Sequence, residues 1–425
     1  MSEAYMKQWN EKARVQIDER IERHRKGEVV LKLVDKAGKP VKGASLAVHQ
    51  TTHEFLFGCN LFVLGQLPTQ ELNTKYENAF THLFNFATLP FYWGDFEPNE
   101  GQPRFKEGSE YIWRRPPPDE LVKWCESHDI VAKGHALMYN RNVFMPDWTE
   151  RNNPDIFLKQ AKKHIKEIAN HYKDNIAIWD VVNEERVRRL KPESGHKVPD
   201  DYLTWCFRET APLFPENVEL LYNDDTQNHD NPDEYAGYIS DIKENGIRID
   251  GMGVQFHLFS LEARDKYLQG NLYPINQLMT FYNRMLKFDL PLNITEITIP
   301  GGGDDGAIIQ AKIVEDLYKL WFSIPNMSGI TWWNLGDGTA HGKENKTMAG
   351  LLDQEMNPKP AYEVLDRLIN HEWKTNEDLR TNAKGQVQFR GYYGVYKVKV
   401  IYQGKTLEKE INISKSGKNH FTINL

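Results

Sequence analysis

The chain has 425 residues, 40% apolar and 27% charged, with a net charge of −7. This length suits a barrel of about 250–400 residues with an accessory unit, and the negative balance argues against a nucleic-acid surface. No apolar run is long enough to cross a membrane as a helix, and three scattered cysteines, Cys59, Cys125 and Cys206, read as buried structural thiols rather than a disulfide framework.

The opening residues, Met1 to Gln8, lack the apolar core of a signal peptide, which points to an intracellular protein or a trimmed secreted one. Across residues 1–26, Tyr5, Trp9, Ala13, Val15 and Ile21 recur at loosely helical spacing. One amphipathic helix is expected there, docked on the main domain and ended by Gly27. Val29 to Val34 then reads as a strand, Asp35 to Pro40 as turn chemistry, and Ala44 to Val48 as the returning strand of a hairpin. A lone hairpin is marginal. The C-terminal region offers it partners, since Gln386 to Phe389, Val395 to Tyr402, Lys409 to Ile413 and His420 to Leu425 also read as strands. The expectation is a small all-β accessory sandwich built from residues 27–52 and 374–425. Its strands show no exposed aromatic row, so its role is read as a buttress rather than a ligand-binding module.

Residues 53–373 alternate strand and helix patterns. Candidate strands are Glu54 to Gly58, Phe84 to Leu89, Val131 to Leu137, Ile176 to Val182, Val218 to Asn223, Gly251 to Phe256, Leu292 to Ile297 and Gly329 to Trp333. The clearest helices are 155–173, entered through Asn153-Pro154, and Lys312 to Phe322. Strands interleaved with helices in this way give an α/β class, a (β/α)8 TIM barrel. In that fold the C-terminal strand ends form the functional face.

Two of those ends carry glutamates. Trp179-Asp180-Val181-Val182-Asn183-Glu184-Glu185 closes one strand, and Leu292-Asn293-Ile294-Thr295-Glu296-Ile297 another. Two carboxyls can cleave a glycosidic bond, one protonating the leaving oxygen and the other attacking the sugar or activating water. Trp179 to Glu184 and Ile294-Thr295-Glu296 resemble the two active-site signatures of glycoside hydrolase family 10, the retaining xylanase family. The resemblance implies Glu184 as acid/base, with Glu185 its rival by position, and Glu296 as nucleophile. It implies that Asn183 donates to a sugar 2-hydroxyl. Gly251 to Leu258 resembles the family's Gly-x-Gly-x-Gln-x-His-Leu strand, which implies sugar-site roles for Gln255 and for His257 beside the nucleophile. Lys133-Gly134-His135-Ala136-Leu137 resembles Arg-Gly-His-Thr-Leu, which carries over His135. Trp333 matches the tryptophan floor of the cleaved-bond subsite. Asn223 and Asp224, in Leu221 to Asp224, are read as structural or as backing for the acid/base.

The departures from the family pattern bear on substrate. Where the family has Glu-Asn-x-x-Lys-Trp, alignment on Trp93 and Glu97-Pro98 places Thr88, Leu89 and Tyr92, so the groups that grip the neighbouring sugar are missing. A tyrosine replaces neither the charge nor the reach of a lysine. Tyr139-Asn140 stands where the family has Trp-His, and His341 where it has a second tryptophan. Tyr92, Trp93, Tyr139 and His341 are therefore expected to shape an altered pocket.

The expected function is a retaining glycoside hydrolase acting on a xylan-like or related polysaccharide or oligosaccharide. The alternatives are a β-galactosidase-like or β-glucosidase-like enzyme and a non-catalytic glycan-binding barrel. The 14 histidines include no His-Glu-x-x-His run, and Gly301-Gly302-Gly303 reads as a flexible loop at the cleft rim rather than a phosphate loop. No metal or cofactor is expected, and the expected partner is the carbohydrate alone.

Overall fold

The computed structural model describes residues 1–425, apart from the side chain of Lys343. Two compact units emerge. One comprises residues 1–10, 57–314 and 326–362, the other residues 11–56, 315–325 and 363–425.

The expected single N-terminal helix is two, Glu3–Gln8 and Glu11–Arg25. Trp9 leaves the helical region (φ −93°, ψ 47°) and is buried, its ring 6.0 Å from Tyr5. Gly27 does not end the second helix. It lies inside strand β1 (Lys26–Val34), where an added Cβ would sit 2.9 Å from the Tyr393 ring. Strand β2 (Ser45–His53) follows.

Eight strands then form the barrel: β3 (Leu56–Asn60), β4 (Phe86–Pro90), β5 (Val131–Met138), β6 (Ile178–Asn183), β7 (Glu219–Asp224), β8 (Gly251–His257), β9 (Leu292–Thr298) and β10 (Met327–Trp332). They close in the order β10-β3-β4-β5-β6-β7-β8-β9. Strands β6, β8 and β9 are buried along their whole length, on both faces, as parallel strands covered by helices must be. The helix Pro154–Tyr172 shows the covering logic. Asn153 caps it by accepting from the N–H groups of Asp155 and Ile156, and Phe157, Ala161, Ile165, Ile168 and Tyr172 turn inward.

Close strand approach is written into Gly134. It pairs with Trp179 across β5 and β6, and a Cβ there would fall 2.2 Å from the buried indole. Gly134→Ala is expected to cost about 1–3 kcal/mol by overpacking, read as a lower urea midpoint. An unchanged midpoint would show that Trp179 has room to move aside.

The second unit adds β11 (Asn376–Arg380), β12 (Gln386–Tyr392), β13 (Gly394–Tyr402), β14 (Lys405–Ile413) and β15 (His420–Asn424). Strands β1 and β2 are not a hairpin. Strand β1 sits between β12 and β15, and β2 sits between β11 and β13 in the other sheet. Each has one apolar face, and these faces meet across the sandwich: Val29, Leu31 and Leu33 share one core with Leu46, Val48, Val398 and Ile413. Residues 35–44 carry the chain between the sheets, with the Asp35 carboxylate accepting from the N–H groups of Ala37 and Lys39.

Candidate active site

Polar side chains gather where the barrel strands end. Asn183 closes β6, and Glu184 follows in a left-handed conformation (φ 54°) as the chain enters the helix Glu185–Leu190. The turn separates neighbours: Glu185 is buried elsewhere, its carboxylate accepting from Arg188 at 2.6 Å and Arg189 at 2.8 Å. Strand register shifts between Asp180 and Val182, and between Val254 and Gln255. Such irregularities re-aim side chains near sites.

Glu296, on β9, is 4% exposed and surrounded by donors. Its Oε1 accepts from Asn223 Nδ2 (3.0 Å) and Gln255 Nε2 (3.0 Å), and His257 Nε2 lies 3.3 Å from Oε2. Asn223 is therefore a direct partner of Glu296, contrary to its reading as a backing residue. Thr295 Oγ1 donates to Asn223 Oδ1 at 2.5 Å, which turns the amide nitrogen toward the carboxylate. His257 Nδ1 lies 2.8 Å from Thr298 Oγ1, whose proton goes to Glu344 Oε1 at 2.8 Å. Burial opposes ionisation of Glu296, but the His257 hydrogen bond and the fields of His135, His257 and Lys133 outweigh it and hold the carboxyl below the usual glutamate range.

His135, on β5, is oriented from behind. Asp180 Oδ2 is 2.7 Å from its Nδ1 and 2.9 Å from Lys133 Nζ. Burial raises the Asp180 pKa, yet Lys133 and His135 bring it below its ordinary value. The other ring nitrogen of His135 is 3.9 Å from Glu296 Oε1.

Glu184 receives Gln255 Nε2 at 3.3 Å on Oε1 and Arg141 Nη1 at 3.3 Å on Oε2. One amide nitrogen thus touches both Glu184 and Glu296. Burial, and then the adjacent Glu184 carboxylate, push the Tyr139 phenol well above its ordinary value.

The two glutamates share an elongated cleft. A lobe of about 560 Å³ is lined by Glu184, Glu296, Asn183, His135, His257, Tyr92, Tyr139, Trp333 and His341. An adjoining lobe of about 430 Å³ is lined by Glu184, Gln255, Arg141, Asp225 and Tyr273. Tyr92, Tyr139, Trp333 and Phe62 form one buried aromatic cluster, and the first three of them line the larger lobe.

Trp93 does not reach the cleft. It opens the short helix Trp93–Phe96, stacks on His164 at 4.2 Å and donates to Glu97 Oε2 at 3.0 Å. The Gly301 run does not line it either, being held by Arg264 and by backbone bonds to Thr347. Arg114, Arg115, Asp95, Phe144, Phe259 and Glu344 also line the larger lobe, and no motif in the sequence marks them. Arg141 is unmarked as well, although it follows Tyr139-Asn140 by one residue. All three cysteines are buried and free, and burial pushes the Cys125 thiol up to about 12.

The family model for glycosyl hydrolase family 10 matches residues 53–367. The chain is 25% identical over 411 residues to the anti-sigma-I factor RsgI6 of Acetivibrio thermocellus, covering 96% of this chain and 48% of that protein. It thus spans about half the length of that relative. It is also 25% identical over 277 residues to a β-1,4-xylanase of Dictyoglomus thermophilum, covering 59% of this chain and 75% of the relative. In fold it resembles xylanase 10B of Thermotoga petrophila, solved in complex with xylobiose, with a TM-score of 0.58 at 22% identity over 75% of this chain and 95% of that one.

Proposed function

Since this chain belongs to glycosyl hydrolase family 10, we propose that it cleaves β-glycosidic bonds in xylan-like chains by double displacement, with Glu296 as nucleophile and Glu184 as acid/base. The observation that carries this reading is the shared amide. Gln255 Nε2 lies 3.0 Å from Glu296 Oε1 and 3.3 Å from Glu184 Oε1. Both carboxylates therefore converge on one amide nitrogen, an arrangement compatible with the about 5–5.5 Å carboxyl spacing of retaining enzymes. At that spacing the second carboxylate can reach the sugar carbon itself, which is what direct attack requires.

Assignment of the two lobes follows from the chemistry. Glu296 lines only the larger lobe, so the sugar that becomes covalently attached lies there, over Trp333. Glu184 lines both, as an acid at the cleaved bond must, and the leaving sugar exits through the lobe of Asp225 and Tyr273. Asn183 faces the larger lobe, where it can meet a sugar 2-hydroxyl. Asn223 and His257 keep Glu296 ionised, and His135, fixed by Asp180, caps the sugar site.

The test is a screen of aryl β-xyloside, β-xylobioside, β-glucoside, β-galactoside and β-cellobioside beside polymeric xylan, with the first-formed anomer read by NMR. Cleavage of the xylosides with a β product is expected. An initial α product would overturn the double displacement.

Histidine 257 gives a pH test. The acidic limb of kcat/KM follows ionisation of Glu296 and is expected below the ordinary glutamate value of about 4.3. In His257→Ala the hydrogen bond is lost while burial remains, so the limb should move to higher pH. An unmoved limb would remove His257 from this role.

The match to an anti-sigma factor along nearly the whole chain favours a second reading, in which the cleft binds glycan without cleaving it. Tight oligosaccharide binding by wild type without turnover would favour it.

A further inference from the structure

The segment between the helices Trp93–Phe96 and Pro118–Ser127 brings two arginines to the larger lobe. Arg114 is only 4% exposed and still lines the cleft. Its Nη1 donates to Asn334 Oδ1 at 2.7 Å and to the Thr339 carbonyl. Its Nε and Nη2 have no hydrogen-bond partner among the described residues, and neither is sealed from solvent. Arg114 itself lines the larger lobe, so these nitrogens are within reach of a ligand there.

Arg115 lies beside it. Its Nε donates to Asp95 Oδ2 at 2.6 Å, its Nη1 to the Arg114 carbonyl at 2.9 Å, and its guanidinium packs 4.1 Å over the Tyr92 ring. Its Nη2 is likewise without a hydrogen-bond partner among the described residues.

Arg114 has no carboxylate on its hydrogen-bonding atoms. Glu344, which acts on it through space, has its Oε1 taken by Thr298 and Asn334. A buried cation without a bonded anion is unfavourable, and a guanidinium fork fits paired carboxylate or sulfate oxygens better than single hydroxyls. We propose that the Arg114 end of the larger lobe recognises an anionic substituent, a uronate carboxylate or a sulfate ester, on the part of the substrate that stays with Glu296. This deepens the glycosidase reading above and rests on it for the direction of the substrate. Tyr92 and Phe144, stacked at 4.9 Å, give the sugar ring a wall beside the charge.

Three matched aryl β-glycosides test it: a neutral oligosaccharide, the same chain with a uronate on its non-reducing sugar, and the same chain O-sulfated there. Wild type should favour at least one acidic form over the neutral by about 10- to 100-fold in kcat/KM, and the two acidic arms identify the anion. That ratio should fall toward one in Arg114→Gln and part-way in Arg114→Lys. A wild-type ratio at or below one, or a ratio unchanged in a folded Arg114→Gln, overturns the proposal. Arg114→Gln also loses the bonds to Asn334 and Thr339, so thermal unfolding accompanies the kinetics. If that variant does not fold, Arg114→Lys decides by the same ratio. Absence of hydrolysis on every β-glycoside would defeat the glycosidase reading instead. Calorimetric binding of the unlabelled sugars then decides the anion site, and equal affinities would overturn it.

Discussion

Glu296→Ala will stop turnover of every β-glycoside that the wild type cleaves, lowering kcat by about 10⁴-fold or more. The substitution removes the attacking oxygen and leaves Asn223, Gln255 and His257 directed at an empty space. That space is also the means of proof. Azide or formate entering it can attack the same face of the sugar, and with an activated aryl glycoside the product should be the α-glycosyl adduct. A β adduct would give the nucleophile's place to another residue, and undiminished turnover would remove Glu296 from the reaction. A stability signature accompanies the loss. The folded Glu296 pKa lies below its ordinary value, so its charge contributes stability above the unfolded pKa of about 4.3, and that contribution fades as pH falls through the folded value. Acid unfolding of Glu296→Ala should therefore be less steep across that window than in the wild type.

The barrel was legible because parallel strands buried on both faces are short runs rich in β-branched residues, as in Ile178 to Val182 and Leu292 to Ile297. The same pattern placed Glu184 and Glu296 at strand ends. What it could not place depends on contacts remote in sequence. Strands β1 and β2 look like a hairpin locally, but their pairing is set by β12, β15, β11 and β13, more than 300 residues later. Strand β11 escaped notice because it is an edge: Asn376, Glu377, Asp378 and Arg380 are all exposed, so no apolar alternation marks it. Trp93 was misplaced for a helical reason. The chain turns into a helix at this residue, and each helical step rotates the side-chain direction by about 100°. Tyr92 keeps the cleft side, and Trp93 turns to His164. Arg114 and Arg115 lie in a segment with no period to read, and their approach to the cleft depends on anchors at Asn334 and Asp95.

Glu184→Ala will divide substrates by their leaving groups. The first step needs a proton on the departing oxygen only when that oxygen is a poor leaving group. Xylan-like oligosaccharides should therefore lose about 10²- to 10⁴-fold in kcat/KM, the range for general acid catalysis. Dinitrophenyl glycosides depart without help and should keep nearly the wild-type kcat/KM. Their kcat should still fall, because the same carboxylate must draw a proton from the water that releases the sugar from Glu296. A burst of phenol followed by slow turnover is the expected trace. Added azide, which needs no base, should speed the slow phase and yield a β-glycosyl azide, opposite in configuration to the product from Glu296→Ala. The placement of Glu184 explains why this partition should be clean. It lines both lobes of the cleft, with Gln255 on one oxygen and Arg141 on the other. Glu185, the neighbouring carboxylate, cannot take over, since Arg188 and Arg189 hold it on the far side of the turn. Equal losses for good and poor leaving groups would rule out Glu184 as the acid, and an α-glycosyl azide would reverse the two roles.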